Sequence, residues 1–475
     1  MDKKEKIEEI PEERLQKLEK VKSSGVSPYG GRFKRTHSIA DLNEEMEGEV
    51  IIAGRLIAIR KHGKSIFFDL WDGSAVIQIY LNCSFIGEEK YNIFQEGIDI
   101  GDFIGITGEV FRTRMGELSV KASNWTLLTK TMRPLPAKWH GLKDVEIKYR
   151  QRYLDLIANA KAREVFALRS SLTKELRRWL DEQGFTEVET PILQAIPGGA
   201  AGKPFRTYQD ALKMELFLRI APELYLKQLL VGGEEKVYDL NKSFRNEGLS
   251  TRHNPEFTML ELYEAYADYE YMMEFCEKLI LNLADTILGK RQITYQGMKI
   301  DLSPPWRRTT FNEALRELYN VDIKTEDLKS LTQKLRAAKV EIPGENITRS
   351  GIVRLLEKSL ASTFPTFIID YPAFLCPLAK RKKDNLDVCE RFELFAGGIE
   401  IANAYSELAD PIEQRKRLYE QADVVDEGFL LALEHGMPPA SGMGIGIDRL
   451  IMLFTDSASV RDVILFPQLG AVTQD

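Results

Sequence analysis

The chain has 475 residues but only 4 cysteines, Cys83, Cys276, Cys376 and Cys389. None sits in a CxxC pair, so a disulfide frame and a zinc site built on cysteine spacing are both excluded. The pattern reads as reduced thiols of a cytoplasmic protein, filling core or near-surface space. Positive charge is not in excess: 65 Lys and Arg stand against 72 Asp and Glu, a formal net charge of −7. That excludes a generally basic nucleic-acid coat and leaves room for a local basic face. No uninterrupted apolar run reaches membrane-spanning length. The N-terminal MDKKEKIEEIPEERLQKLEKVK alternates acids and bases without an apolar centre, so neither a signal peptide nor an anchor is expected there. The glycine-rich IPGGAAGKPF at 196–205 lacks the spacing of a Walker phosphate loop and the Ser or Thr after its lysine. No catalytic triad or other covalent nucleophile stands out. What is present is a 44% hydrophobic fraction in a chain too long for one core, so two or three domains are expected.

Read in order, residues Ile10 to Val21 carry leucines and charges at helical spacing, an N-terminal arm within 1–47. From Gly48 the period changes to strands: VIIAGRLIAIR, SIFFDLWD and AVIQIYL, then a helix from Glu88 to Glu96, then GDFIGITGEVFRTR and GELSVKASNWTLL. Three strands, a helix and two strands is the plan of a five-stranded OB-fold β-barrel, here over 48–130, a fold that commonly holds single-stranded nucleic acid. Residues 51–130 hold nine basic and nine acidic side chains, so bulk charge does not argue for RNA. Single residues do. Gln78 has donors and acceptors suited to a base edge, Glu117 can accept from a base amino or imino group, and Arg60 can meet a phosphate. Phe67 taken alone reads as barrel core. Residues 131–160, with two prolines, a Trp139-His140-Gly141 turn and the helix-like YRQRYLDL, form a linker.

The densest stretch is Phe244 to Tyr266, FRNEGLSTRHNPEFTMLELYEAY. It reads as two strands joined by a polar loop holding Arg252, His253 and Asn254, a hairpin able to clamp a polyphosphate. Arg245 at a strand end offers a planar, permanently charged fork to phosphate oxygens. Phe257 offers a flat face to a purine. Glu261 and Tyr263, two apart on a strand, point the same way and suit a cationic substrate. A second dense stretch, RFELFAGGIEIANAYSELADP at 391–411, places Glu393, Glu400 and Glu407 at seven-residue intervals. The Gly397-Gly398 pair favours a hairpin over a heptad stripe, so Glu393 and Glu400 are expected to face each other across the turn. Buried acids without cations are costly, and Mg2+ sharing phosphate oxygens resolves that cost. Asn403, Tyr405 and Glu407 would then line a side-chain pocket. Last, GMGIGIDR at 442–449 makes a strand with one bare face, against which a purine could lie, and Arg449 projects towards a terminal phosphate.

The FRNEG, RHNPEFT and ELY strings, the GxGxGxDR string with RDVILFP after it, YRQRYLDL, and a long helix and strand running into Pro191 together resemble the class II lysyl-tRNA synthetases of bacterial type (subclass IIb) over nearly the whole chain. The resemblance implies an α+β protein: the N-terminal barrel plus a class II antiparallel-sheet catalytic domain flanked by helices over 161–475, with a helical insertion at about 270–365. It implies ATP-dependent activation of L-lysine to lysyl-adenylate and transfer to the 3′ end of tRNA(Lys), with Mg2+. Arg245 would neutralise the α-phosphate and hold the lysine carboxylate, and Arg449 would bind the γ-phosphate. Phe257 would stack adenine and Glu247 accept from its amino group, with His253 and Asn254 completing the ATP loop. Glu393 and Glu400 would hold the metal. Gly199, Glu223 and Glu261 would take the α-amino end; Tyr263, Asn403, Tyr405 and Glu407 the side chain, with Glu407 on the ε-ammonium. Phe67, Gln78 and Glu117 match the set that reads anticodon uridines, and the 162–183 helix with its strand implies a homodimer. Ile399, Ala402, Ala404, Tyr405 and Ala409 depart from the common family residues and are expected to touch pocket walls rather than charge pairing. Two rivals remain. A paralogue that lysylates a protein would lack the barrel. A silent RNA-binding paralogue would lose Arg245, Arg449 or the acids.

Overall fold

The computed structural model describes residues 10–135, 144–342, 347–421 and 424–470. The Trp139-His140-Gly141 turn expected from the sequence lies outside them. Two units divide the chain, residues 1–141 and 142–475. Among the described residues no helix is long and apolar enough to cross a membrane.

Period-two alternation builds the first unit. Strands β1 (Glu49–His62), β2 (Ser65–Trp71), β3 (Val76–Asn82), β4 (Phe103–Arg112) and β5 (Leu118–Thr129) close into a barrel of order β1-β2-β3-β5-β4. Ile66, Phe68 and Leu70 of β2 are fully buried, so their neighbours point outwards. Phe67 is one of these neighbours, and the barrel-core reading of it is wrong: Phe68 takes that place. The helix Glu88–Gly97 caps the barrel through Phe94, with ring centroids 5.1 Å from Phe68 and 5.3 Å from Trp125. The N-terminal helix Glu12–Ser23 packs on this unit: Val21 is buried, Lys17 lies 2.7 Å from Asp99 and Arg14 3.1 Å from the same acid.

The second unit is an eight-stranded sheet with helices against it. Its elements are, in chain order, β6 (Thr186–Glu187), β7 (Leu193–Gln194), β8 (Arg206–Gln209), β9 (Met214–Leu218), β10 (Lys236–Phe244), β11 (Glu256–Ala265), β12 (Gln292–Tyr295), β13 (Met298–Asp301), β14 (Arg307–Thr310), β15 (Thr366–Ile369), β16 (Arg391–Ala396), β17 (Ile399–Ser406) and β18 (Ala440–Gly446). The large sheet has the order β14-β15-β16-β17-β18-β11-β10-β6, antiparallel except at its two ends. Together with the barrel this is the expected mixed α+β architecture.

Two expectations need correction. The strand read from Phe185 to Leu193 is ordered as strand only at Thr186–Glu187 and Leu193–Gln194. Thr190 gives its amide and hydroxyl to Asp239 instead of to a ladder, and Pro191 has no amide to give. The region from 270 to 365 is not purely a helical insertion. Tyr269–Leu283 is a core helix burying Met272, Met273, Cys276, Leu279 and Leu283, and β14 is a strand of the main sheet. The linker segment after Asp144 is structural here: buried Arg152 binds Asp155 at 2.5 Å and the carbonyls of Leu465, Arg461 and Ile464. The basic run at 380–383 is paired with acids, Lys382 to Asp370 at 2.5 Å and Arg381 to Glu413 at 3.1 Å.

Candidate active site

Cross-strand register places the site. Glu393 of β16 lies opposite Asn403 of β17, which lies opposite Gly444 of β18, which lies opposite Glu261 of β11. One pair further along, Arg391, Tyr405, Gly442 and Tyr263 form a second row. Directly opposite residues share a face of the sheet. The bare glycines therefore form a trough between a wall of acid and phenol on one side and Asn403 and Tyr405 on the other. A Cβ on Gly442 would collide with the Tyr263 ring and the Glu407 carboxylate. The trough opens into a cleft of about 620 Å³, lined among others by Gly199, Glu223, Arg245, Glu247, His253, Asn254, Phe257, Glu261, Tyr263, Glu393, Glu400, Asn403, Tyr405 and Arg449. Fourteen of the residues read from the sequence thus meet in one place. Glu407 is the catalytic-unit exception.

At one end of the cleft the acids carry arginines. Arg449, at the start of the helix Ile447–Thr455, donates to the Glu400 carboxylate at 2.9 Å and to its carbonyl at 3.1 Å. Arg391 lies 2.5 Å from Glu393, whose other oxygen accepts from the Tyr371 hydroxyl at 2.8 Å. Burial, then the nearby Glu400 charge, pushes the Glu393 carboxyl up against the pull of Arg391. The two acids do not face each other across the turn as expected. Glu393 is opposite Asn403 and Glu400 is opposite Phe395, because the tight turn at Gly397-Gly398 pairs Ala396 with Ile399 and so sets the two acids on different rungs. They remain close enough for their charges to repel, a mismatch a divalent cation would relieve. Among the described residues no set of three or more metal-binding side chains occurs. Two carboxylates that leave further positions to phosphate oxygens fit Mg2+.

The hairpin loop supplies the nucleotide side. Arg245 Nε and Asn254 Oδ1 are buried without hydrogen-bond partners. Buried polar atoms are normally paired, so these two are poised for a polar ligand. The Arg245 guanidinium lies 5.2 Å from the Phe257 ring centre, leaving an aromatic surface beside a fixed cation. His253 accepts or donates at 2.9 Å to Ser250, and burial, then Arg449, hold its basicity below the ordinary value. Asp448, in the first turn of the Ile447–Thr455 helix and without a role assigned from the sequence, ties the site together. It accepts from the Thr258 amide of β11 at 2.8 Å and from Arg169 of the helix Ala160–Glu182 at 2.6 Å.

The other end differs from expectation. The Glu407 side chain is wholly buried behind Gly442 and Tyr263, and it is not alone: Lys227 Nζ lies 2.5 Å from it and 2.6 Å from Glu223. Lys227, on the helix Glu223–Val231, is itself wholly buried. The i,i+4 spacing of Glu223 and Lys227 was a signal available in the sequence. Tyr405 donates to Glu223 at 2.7 Å, so this departure does touch charge pairing, while Ala402 and Ala404 are buried core. Among the described residues no Lys or Arg lies within ion-pair distance of Glu261, whose carboxyl burial, then the Glu223 charge, raises well above its ordinary value. Burial likewise raises Glu407 despite Lys227. Gly199 has φ +82° and its Cβ position lies 3.0 Å from Glu223 Cβ, so the 196–205 loop turns against the acid end.

In the barrel unit, Gln78 donates to Glu117 at 2.9 Å and Ser119 donates to Gln78 at 3.2 Å. Arg60 pairs with Asp69 at 2.8 Å, and Phe67 stacks on Tyr80 with centroids 4.9 Å apart. Asp69 is opposite Gln78 and Phe67 is opposite both Arg60 and Tyr80, so all four candidate residues occupy one outer patch.

Comparisons with known proteins identify the family. Residues 144–470 match the model of tRNA synthetases class II (D, K and N), and residues 50–128 match the OB-fold nucleic acid binding domain. The chain is 51% identical to a lysine–tRNA ligase of Carboxydothermus hydrogenoformans, covering 97% of this chain and 98% of that protein. It is 50% identical to a lysine–tRNA ligase of Moorella thermoacetica, covering 96% of each. A cleft floored by alternate glycines, walled by arginines and acids and matched over its full catalytic unit, makes this chain a member of the class II tRNA synthetase family of the D, K and N group.

Proposed function

We propose that the chain is a lysine–tRNA ligase, which joins L-lysine to AMP at the expense of ATP and passes the lysyl group to the 3′ end of tRNA(Lys). The observation that carries the choice of amino acid is a charge count. With its acids ionised against a bound cation, the pocket holds three carboxylates, Glu223, Glu261 and Glu407, and the one charge of Lys227, which leaves two for the substrate to meet. Free lysine brings two ammonium groups, and Arg245 is at hand for its carboxylate. A neutral amino acid would leave a buried acid unpaired, which is how a polar pocket rejects wrong substrates. In this reading Glu223, Glu261 and the Gly199 loop hold the α-amino group. The ε-ammonium joins Lys227 at Glu407 beside Tyr263, with Asn403 and Tyr405 along the chain.

The reaction needs positioning and charge neutralisation, not a covalent enzyme nucleophile. Arg245 holds the lysine carboxylate against the α-phosphate and screens the charge of the attack. Phe257 stacks adenine, with Glu247 accepting from its amino group and His253 and Asn254 closing the loop over ATP. Arg449 moves from Glu400 to the γ-phosphate. Glu393 and Glu400 would hold Mg2+, which when bound neutralises the phosphates. We assign residues 48–130 to anticodon reading through Arg60, Phe67, Gln78 and Glu117, residues 131–160 to the link, and residues 161–475 to activation. A cytoplasmic homodimer formed through the Ala160–Glu182 helix completes the reading.

The test is exchange of labelled pyrophosphate into ATP with each of the twenty amino acids. Lysine alone should support it, and exchange with a neutral amino acid at a comparable rate would overturn the assignment. Phe67→Ala should keep lysine-dependent exchange and slow tRNA charging. Equal charging by both proteins would remove Phe67 from anticodon reading.

A further inference from the structure

Two cysteines that take no part in this chemistry sit against its machinery. Cys376 follows the turn Ala373–Leu375, is 4% exposed and lines the cleft. Cys389 is fully buried on the neighbouring segment. The two segments are bridged at Pro372–Val388 and Arg381–Cys389, and the Cys389 amide binds the Tyr371 carbonyl at 2.9 Å. Cys376 Sγ reaches the Pro372 carbonyl at 3.5 Å and Cys389 Sγ the Ala379 carbonyl at 3.6 Å; the two thiols also lie within hydrogen-bonding reach of each other, and both are free. Arg391 Nη1 stands 3.3 Å from Cys376 Sγ.

We propose that Cys376 and Cys389 are a reversible redox pair in the cleft wall, which a hydroperoxide closes to a disulfide and a dithiol reopens, switching the active site off and on through Arg391. The local electrostatics favour Cys376 as the attacking sulfur. Burial and the Glu357 charge push its thiol up, yet the Cys389 hydrogen bond and the Arg391 guanidinium outweigh them and hold it below the ordinary thiol range. Cys389 is raised by that same hydrogen bond and then by burial, against Arg417, so it stays a thiol until a partner forms. Cys276, buried in the core beside Glu277, is raised and shielded, and has no such partner.

The chemistry balances. The Cys376 thiolate attacks one peroxide oxygen, the O–O bond breaks, and a sulfenic acid forms as hydroxide leaves and becomes water. Cys389 then loses its proton, attacks the sulfenic sulfur, forms the S–S bond and expels the second hydroxide, again as water. Two thiols and one hydrogen peroxide become one disulfide and two waters. The consequence follows from what Arg391 holds. Its guanidinium binds Glu357 at 3.1 Å, Glu393 at 2.5 Å and, through Nε, Asn403 at 3.2 Å, while packing 4.4 Å from the Tyr371 ring centre. A disulfide removes its sulfur acceptor and re-aims a residue that touches both a candidate metal ligand, Glu393, and a candidate lysine ligand, Asn403.

The switching half rests on the activation reaction proposed above; the pairing half does not. The test uses the full chain in a Cys83→Ser background, so the partly exposed barrel thiol cannot react. Protein is treated with stoichiometric hydrogen peroxide, digested without reduction and mapped by mass spectrometry, with lysine-dependent pyrophosphate exchange followed in parallel. A 376–389 disulfide is expected, with exchange reduced at least about fivefold and restored by dithiothreitol. Cys389→Ser should stop at a sulfenic acid on residue 376 that dimedone traps, and Cys376→Ser should leave residue 389 unmodified, each compared with its own untreated sample. No 376–389 disulfide in the parent protein overturns the pair, whatever the variants do. A disulfide with unchanged exchange overturns the switch. Absence of exchange before treatment is a failure of the proposed function, and the peptide map still decides the pair.

Discussion

At the nucleotide end of the cleft each acid touches an arginine, Glu393 on Arg391, which it shares with Glu357, and Glu400 on Arg449. At the amino-acid end Glu223 and Glu407 share one lysine, and Glu261 has no cation within ion-pair distance among the described residues. The first arrangement is near neutral before anything binds, and it exchanges partners when phosphates and a cation arrive. The second resists ionisation of Glu261 and Glu407 while it is empty and takes on its full charge only with a substrate that brings two positive groups. One cleft thus uses paired charge to handle a polyanion and unpaired charge to choose a dication.

Breaking the sole cation should have the largest effect. Lys227→Met leaves Glu223 and Glu407 buried without a counterion, a loss on the order of 3–5 kcal/mol of stability. Thermal unfolding should show a large drop in Tm, while a change of under about 1 kcal/mol would mean the acids share their charge elsewhere. Next, Glu407→Gln should raise the lysine KM about 100-fold in pyrophosphate exchange and leave the ATP KM within about threefold. Equal changes in both would erase the division between the two ends. Tyr405→Phe removes one hydroxyl from Glu223 and should raise the lysine KM about fivefold, near 1 kcal/mol.

The smallest effect is one of pH. The Glu261 carboxyl is raised in the folded protein, so its contribution to stability is fully present below the unfolded value near 4.5 and is lost as pH rises through the folded value. Ligand-free protein should therefore lose Tm between about pH 5 and pH 8 by roughly 2 °C more than Glu261→Gln does. Parallel curves for the two proteins would show that Glu261 has a cationic partner.

The sheet and barrel were legible because burial on one face writes itself as alternation: Ile66, Phe68 and Leu70 inward, Phe67 outward. The glycine strand was legible because only glycine leaves a trough beside Tyr263. Three things were not. The pairing of Glu393 with Asn403 depended on a shift in the ladder after Leu394 that no residue type announces. The short strand at Thr186–Glu187 was cut off by a distant acid, Asp239. Lys227 was given no role; its i,i+4 spacing could suggest Glu223 as a partner, but only packing showed that it lies between Glu223 and Glu407. The sequence pattern reports faces and turns well; which buried charge meets which is decided by elements far apart in the chain.

The most direct test of the charge deficit needs no variant. Lysine and 6-hydroxynorleucine, which carries a neutral hydroxyl in place of the ε-ammonium, are compared as competitors in lysine-dependent pyrophosphate exchange at neutral pH. A deficit of two positive charges predicts that the neutral analogue binds about a thousandfold more weakly. Binding within about tenfold of lysine would contradict it.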